Sequence, residues 1–326
     1  MDVVRIGTLG SARITETALI GAGRQVPEVT VAAVAARDLA RADAFALRHG
    51  IAAAYGSYDE LLADPDIDAI YNPLPNSLHA PWTLKAIAAG KHVLCEKPFA
   101  SNAAEATLVA DAAAASELVV MEAMHYRYHP LVQRLTEVVG TLGPVRRIQA
   151  WTSFVIDDPA DIRYDPALGG GALMDGGCYA LDCLRLLGGD LAVTAAVADT
   201  TGEGLVDVAL AARLGFSGGA AGWFESAFTR DGEFRADVHV VCDDGTAWLR
   251  NFILAHDGEL MVTRGGETVT DDSWRSGTEL TTYAWQLRAF AAAITDGAPV
   301  VTSAAEAVTT MRLIDDVYRA AGLPPR

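Results

Sequence analysis

Apolar positions change their period once along the chain. In the first third, short apolar runs rich in β-branched residues, "VVRIG", "VTVAAVAA", "DAIYN", "KHVLCE" and "LVVMEA", predict buried strands. Between them "LARADAFALRHG", "SYDELLAD", "HAPWTLKAIAAG" and "NAAEATLVADAAAAS" carry helical spacing and end near Gly or polar residues. Strands alternating with helices in this way predict βαβ units and a parallel sheet covered on both faces, so a doubly wound domain is expected over residues 1–123. Beyond it "HPLVQRLTEVVG" reads as a helix, "VRRIQAWTSFVI" as a strand and "GALMDGGCYALDCLRLLGG" as a helix. Strand-like runs separated by Gly and Asp turns follow, from about Val193 to Leu249. Two helices close the pattern, the second opening on a Ser303-x-x-Glu306 capping box and stopping at Gly322. Residues 124–326 are therefore expected to form an α+β domain with an open, largely antiparallel sheet.

Composition narrows the function classes. With 326 residues, 51% of them hydrophobic, the chain can bury two cores. It has no run of about 18 apolar residues, and the opening "MDVVRIGTLG" lacks the basic start of a signal peptide. A soluble cytoplasmic protein with no membrane partner is expected. A net charge of −17 argues against nucleic acid as a partner, although local positive patches can still hold a phosphorylated cofactor. Cys95, Cys178, Cys183 and Cys242 are scattered in apolar surroundings, as reduced core thiols are. His125 and His129 have no third ligand at useful spacing, so no metal is expected.

The first strand runs into "GTLGSARIT", where a dinucleotide-binding turn would stand. Only the first glycine of G-x-G-x-x-G survives, in Gly10-Ser11-Ala12-Arg13-Ile14-Thr15, and such a turn also occurs in proteins that bind nothing. The second strand ends in Ala36-Arg37-Asp38. Arg37 at this position suits the extra phosphate of NADP or simply points to solvent, and Asp38 leaves NAD(H) possible.

Three blocks, "YNPLPNSLHAPWTLKAIAAGKHVLCEKPFA", "MEAMHYRYHP" and "DPALGGGALMDGGCYALD", resemble the signatures of the glucose-fructose oxidoreductase, inositol dehydrogenase and rhizopine catabolism protein family. The tyrosine in "DGGCY" resembles the branch that holds dimeric dihydrodiol dehydrogenase and sugar ketoreductases. The resemblance implies a Rossmann domain, followed by an α+β domain whose sheet forms the face of a homodimer or higher homo-oligomer. It implies hydride transfer between NAD(P) and a carbinol carbon of a sugar, polyol or cyclic diol. It also implies that Gly10, Ser11, Ala12, Arg13 and Ile14 cradle the pyrophosphate, that Arg37 meets the adenosine end, and that Leu74, Pro75, Asn76, His79, Glu96 and Lys97 line the nicotinamide side. Tyr126, Arg127 and Arg163 match positions near the substrate pocket, where they would bind substrate or anchor the domains.

The chemistry agrees. Ligands of open α/β sheets bind beyond the carboxyl ends of strands, where "LCEKPF" falls, and Pro98 stiffens the backbone after Lys97. Hydride transfer needs a proton donor or positive charge at the substrate oxygen. A tyrosine, of reference pKa about 10, serves if an ammonium lowers that value. Lys97 and Tyr179 form such a pair, either being the immediate acid or base. Asp175, Tyr179 and Asp182 fall on one helical face by spacing, as a catalytic set with Asp175 or as a packing helix with a core tyrosine. An NAD(P)(H)-dependent oxidoreductase preferring NADP(H) is expected, the alternatives being a trans-dihydrodiol dehydrogenase or a non-catalytic cofactor-binding regulator.

Overall fold

The computed structural model describes residues 3–201, 206–229, 232–275 and 279–326. Six strands, β1 (Val4–Leu9), β2 (Val29–Ala35), β3 (Ala53–Tyr55), β4 (Ala69–Asn72), β5 (His92–Cys95) and β6 (Val120–Glu122), form a parallel sheet in the order β3-β2-β1-β4-β5-β6. This is the doubly wound order, with its reversal between β1 and β4. The three-residue β3 escaped the sequence reading because so short a segment has no period to detect.

Helix α1 (Arg13–Thr15) runs on as a π turn over Glu16–Gly21. Helices α2 (Leu39–His49), α3 (Tyr58–Ala63), α4 (His79–Ala88) and α5 (Ala103–Ala114) complete the crossovers. Their starts follow capping chemistry: Asp38 accepts from the Ala40 amide at 2.9 Å, Ser57 from Glu60 at 3.2 Å and Asn102 from Glu105 at 3.0 Å.

In the second part, α6 (Pro130–Gly140) and α7 (Cys178–Gly188) pack on an eight-stranded sheet. Its strands are β7 (Val145–Val155), β8 (Leu191–Thr201), β9 (Val206–Phe216), β10 (Ala221–Thr229), β11 (Arg235–Cys242), β12 (Gly245–Arg250), β13 (Glu259–Arg264) and β14 (Glu267–Thr270). The order is β14-β13-β12-β11-β7-β10-β9-β8, antiparallel except for β7 with β10. Alternation along β7 buries Ile148, Ala150 and Thr152 under the helices, and leaves Gln149, Trp151 and Ser153 half-exposed on the opposite face.

Helices α8 (Thr282–Asp296) and α9 (Ala304–Ala320) follow. The chain divides into two compact units, one of residues up to His125 with Tyr283–Val308, the other of Tyr126–Thr282 with Thr309–Arg326. The returning segment joins the edge of the first sheet: the Glu122 amide donates to Thr302 O at 2.9 Å, and Met121 bridges Ser303. The apolar pattern, which changes once near residue 123, gives no sign of this return, because period is a local property of the chain.

Candidate active site

Within the first unit, Gly10 turns the chain out of β1 with φ +80°, and its amide donates to Ala35 O at 2.7 Å. A side chain would be doubly disfavoured there: the backbone is left-handed, and a Cβ would lie 3.2 Å from Leu74 Cδ2. Ser11 and Ala12 are half-buried, Arg13 and Ile14 exposed, and the helix starts at Arg13 on an alanine that has no capping group. Such a helix start, behind a turn that admits close approach, fits a dinucleotide pyrophosphate.

Arg37 is exposed beyond β2. Asp38, also exposed, caps α2 through Oδ1 alone, the contact described above. Arg41, one turn into α2, donates from Nε to Ser11 Oγ at 2.7 Å and so joins this helix to the glycine turn. Tyr58 completes the corner: a Cβ on Gly10 would lie 3.6 Å from its hydroxyl, and its ring meets Trp82 edge-on at 4.8 Å. Burial raises the Tyr58 pKa, while the nearby positive charges of Arg37 and Arg41 work against that rise. Arg41 and Tyr58 were absent from the sequence reading. The i to i+4 spacing of Arg37 and Arg41 was the available signal for the former.

The ends of β4 and β5 form a second corner. Asn72 Nδ2 donates to His79 O at 3.1 Å and to Thr83 Oγ1 at 3.2 Å, while Asn72 O accepts from the Glu96 amide at 3.0 Å. His79 is fully buried with Nδ1 2.7 Å from Pro98 O and Nε2 2.6 Å from Leu74 O. Its ring therefore ties the Leu74-Pro75-Asn76 loop to the turn that carries Lys97. Burial pushes its pKa down to about 4, while the Pro98 and Leu74 carbonyls work against that fall; both are acceptors, so a neutral ring donates to one of them and only the protonated ring to both. Tyr71, also fully buried, donates to Glu96 Oε1 at 2.7 Å. Burial, then the Glu96 charge, hold its pKa far above the ordinary value. Glu96 Oε2 accepts from the Lys97 amide at 3.3 Å, and Lys97 is half-buried beside a cis Lys97–Pro98 peptide. The structure thus brings together the predicted residues of each corner. Asn72 and Tyr71, which fix the second corner, were not predicted.

In the second unit the helix predicted over residues 171–189 begins at Leu173 as a π turn, Leu173–Gly177, and becomes α-helical only at Cys178. Regular spacing therefore does not put Asp175, Tyr179 and Asp182 to one use, because the two carboxylates have separate partners. Asp175 accepts from Arg163 Nε at 2.8 Å, and Arg163 also reaches Asp161 at 3.2 Å. The Asp175 charge is the main reason the Arg163 pKa is raised, ahead of an opposing desolvation. Asp182, 3% exposed, accepts from Tyr126 Oη at 2.5 Å and from Arg127 Nη1 at 3.0 Å, with Arg185 at 3.5 Å. Burial opposes the charge on Arg127, and Asp182 more than offsets it. Tyr179, 3% exposed, meets the Tyr126 ring at 6.0 Å between centroids and 70° between planes. Tyr126 also packs edge-on against Phe252 at 5.3 Å. The two arginines are thus held by carboxylates of their own unit.

The chain matches two family models: an oxidoreductase family with an NAD-binding Rossmann fold over residues 4–124, and the GFO/IDH/MocA C-terminal domain over residues 132–248. It is 39% identical over 334 residues to D-xylose 1-dehydrogenase (NADP(+)) 2 of Haloferax volcanii, covering 97% of this chain and 96% of that one. The chain belongs to the GFO/IDH/MocA family. It is an NAD(P)-dependent oxidoreductase of the kind that acts on CH–OH groups. Trans-1,2-dihydrobenzene-1,2-diol dehydrogenase of Sus scrofa is 38% identical over 206 residues, covering 62% of this chain and 61% of that one. Among solved structures, a 3-ketoreductase from Actinomadura kijaniata in complex with NADP and TDP-benzene superposes with TM-score 0.88 at 27% identity over 98% of each chain. An aldose-aldose oxidoreductase from Caulobacter crescentus gives 0.90 at 25% identity, again over 98% of each chain. Among the described residues, no helix is long and apolar enough to cross a membrane.

Proposed function

We propose that this family member is an NADP(H)-preferring dehydrogenase of a small sugar, of the aldopentose class to which D-xylose belongs. The observation that carries the cofactor choice is the corner of Arg37, Arg41, Ser11 and Tyr58, with Arg41 bonded to Ser11 at 2.7 Å. Two guanidiniums suit a phosphate on the adenosine ribose, and Asp38 has one of its two carboxylate oxygens engaged in the helix cap. The substrate class rests on near-full-length similarity to a xylose dehydrogenase.

In this reading the cofactor supplies a hydride acceptor at nicotinamide C4. The turn at Gly10 to Ile14 would hold its pyrophosphate, and the loop Leu74-Pro75-Asn76, with Glu96 behind it, its nicotinamide end. Each unit brings one group suited to this chemistry: Tyr179, as phenolate, would take the hydroxyl proton, and the ammonium of Lys97 would steady negative charge on a substrate oxygen. Asp182 and Asp175 hold Tyr126, Arg127 and Arg163, and through the Tyr126 ring the Tyr179 side chain, in fixed orientations. We further propose a homodimer through the face of the second sheet that bears Trp151 and Trp223 (5.5 Å apart) and Trp248. Half-exposed tryptophans in a band suit an interface core.

The test is a 340 nm absorbance assay with NADP+ and NAD+ against D-xylose, D-glucose, inositols and trans-dihydrodiols, with NADPH and NADH titrated by fluorescence. Arg37→Ala and Arg41→Ala should weaken NADPH by about 1.5–3 kcal/mol, the range for a charge-assisted contact, and leave NADH nearly unchanged. Equal losses for both cofactors would sink the phosphate role. Tyr179→Phe should bind NADPH normally and lose about 10²- to 10⁴-fold in turnover.

A further inference from the structure

The helix that carries Tyr179 starts at a peptide gripped from both sides. Its carbonyl, Ala172 O, accepts from Ser226 Oγ at 2.7 Å, and its amide, Leu173 N, donates to Asp207 Oδ2 at 2.7 Å. Asp207 comes from β9, 34 residues along the chain, and has no exposed surface. Its other oxygen accepts from Tyr318 Oη at 2.8 Å and Arg326 Nη2 at 2.5 Å. Arg326 lies with its guanidinium 4.6 Å over the Tyr318 ring, its Nε donates to the Tyr318 oxygen at 3.3 Å, and its side chain is 7% exposed. The fit leaves no room nearby: a Cβ on Gly171, where φ is +139°, would fall 2.2 Å from Asp207 Oδ1 and 2.8 Å from Tyr318 Oη.

We propose that Asp207, held by Arg326 and Tyr318, is a positioning residue for the turn that carries Asp175 and leads into Tyr179. This rests on the reading of Tyr179 as the acid–base group. An ionised carboxylate at a helix N-terminus satisfies an amide that the helix cannot, and does so strongly because it is charged. Fixing both polar ends of one peptide fixes the plane of that peptide, and with it the rotation of the turn six residues before the phenol. Burial raises the Asp207 pKa above the ordinary carboxylate value, and the Leu173 amide, the Arg326 charge and the hydrogen bonds from Tyr318 and Arg326 work against that rise in favour of the ionised form. Among the described residues the titratable and charged groups facing Asp207 are Arg326 and Tyr318, and on the neighbouring β8 its register partner is the uncharged Thr200.

The experiment compares Arg326→Ala, Arg326→Lys, Tyr318→Phe and Tyr179→Phe with the unaltered chain. Turnover is measured with NADP+ and D-xylose across pH, NADPH affinity by fluorescence, and amide hydrogen exchange over residues 171–180. Arg326→Ala should lose between about ten- and a hundredfold in kcat, as misplacement by an ångström does. NADPH affinity should be unchanged, exchange at Leu173 faster and the acid limb of the kcat profile moved to higher pH, because Asp207 then takes a proton more readily. Arg326→Lys should recover most of the rate. If Arg326→Ala does not fold, Tyr318→Phe, which removes one hydroxyl, should show the same pattern with a smaller loss. Wild-type kcat and pH profile in both variants, or a loss confined to NADPH affinity, would overturn the proposal. Those results with an inactive Tyr179→Phe would sink the positioning role alone. Normal turnover by Tyr179→Phe, or no turnover of D-xylose by the unaltered chain, would instead strike the reading on which it rests.

Discussion

His79 gives the first unit a pH dependence whose sign and size follow from its surroundings. The ring is fully buried between the carbonyls of Leu74 and Pro98, and burial holds its pKa at about 4 against an ordinary 6.5. Between those values the unfolded chain carries a proton on His79 that the folded chain does not. The unfolded state then binds more protons, so stability rises with pH through this window and is lost as pH falls from about 6.5 toward 4. At about 1.4 kcal/mol per pH unit the gap is worth about 3 kcal/mol in full, and about 2 kcal/mol of it is lost by pH 5. The perturbation is His79→Gln, which keeps an amide donor for one carbonyl but does not titrate. Urea unfolding of both proteins should be followed at pH 7.5 and at pH 5, and the free energies subtracted to remove other groups, His129 among them, which burial also holds at about 4. The variant is expected to be the less stable protein at pH 7.5, with the difference shrinking by about 2 kcal/mol at pH 5. A difference that stays constant between the two pH values would refute the depressed pKa and point instead to a protonated ring, which alone donates to both the Leu74 and the Pro98 carbonyl.

Other substitutions probe the second unit and the cofactor corner. Arg127→Ala leaves Asp182 buried without its main counter-charge and should cost about 3–5 kcal/mol in urea or thermal unfolding, the range for breaking a buried pair. A loss below 1 kcal/mol would free Arg127 for a substrate role. Gly171→Ala, at φ +139° and against Asp207, should destabilise by about 1–3 kcal/mol and slow turnover, as read by thermal midpoint and initial rate. Asp38→Ala should cost about 1 kcal/mol through the lost cap on α2, while the ratio of NADPH to NADH affinity stays as it was. A rise in that ratio driven by weaker NADH would instead return Asp38 to the ribose.

The first sheet was legible because a strand covered on both faces writes its burial into consecutive apolar residues, as "VTVAAVAA" and "KHVLCE" do. The position of Glu96, Lys97 and Pro98 followed from one rule, that ligands of such sheets gather at the carboxyl ends of strands. The hairpin of β13 and β14 was missed although Gly265 and Gly266, at φ +58° and +87°, gave a usable turn signal between two alternating segments. The π turn at Leu173–Gly177 had no such signal, since "MDGGCY" reads as the continuation of a helix. It forms where Asp207 and Ser226 hold the Ala172–Leu173 peptide, while Gly176 and Gly177 leave room for Phe154 and Leu173. Those contacts join residues 34 and 54 apart, and no local window contains them.

The charges of the chain sort by what they face. In the second unit Arg127, Arg163 and Arg326 each lie against a carboxylate, Asp182, Asp175 or Asp207; for the buried pairs of Arg127 and Arg326 such contacts fix geometry more than they add stability, while Arg163 is partly exposed. Arg37 and Arg41 stand exposed together beside Ser11 and Tyr58, in a chain of net charge −17. A positive corner on so acidic a surface can draw one phosphate group while the rest of the molecule repels longer polyanions. In the second unit the pairs of Arg127 and Arg326 thus brace Tyr126 and Tyr318, and in the first the proposed cofactor choice rests on Arg37 and Arg41. The same arginine chemistry therefore predicts opposite responses to salt: if Arg37 and Arg41 meet the phosphate as proposed, NADPH affinity should fall as ionic strength rises, because both are exposed, while the buried pairs around Tyr126 and Leu173 should be nearly indifferent.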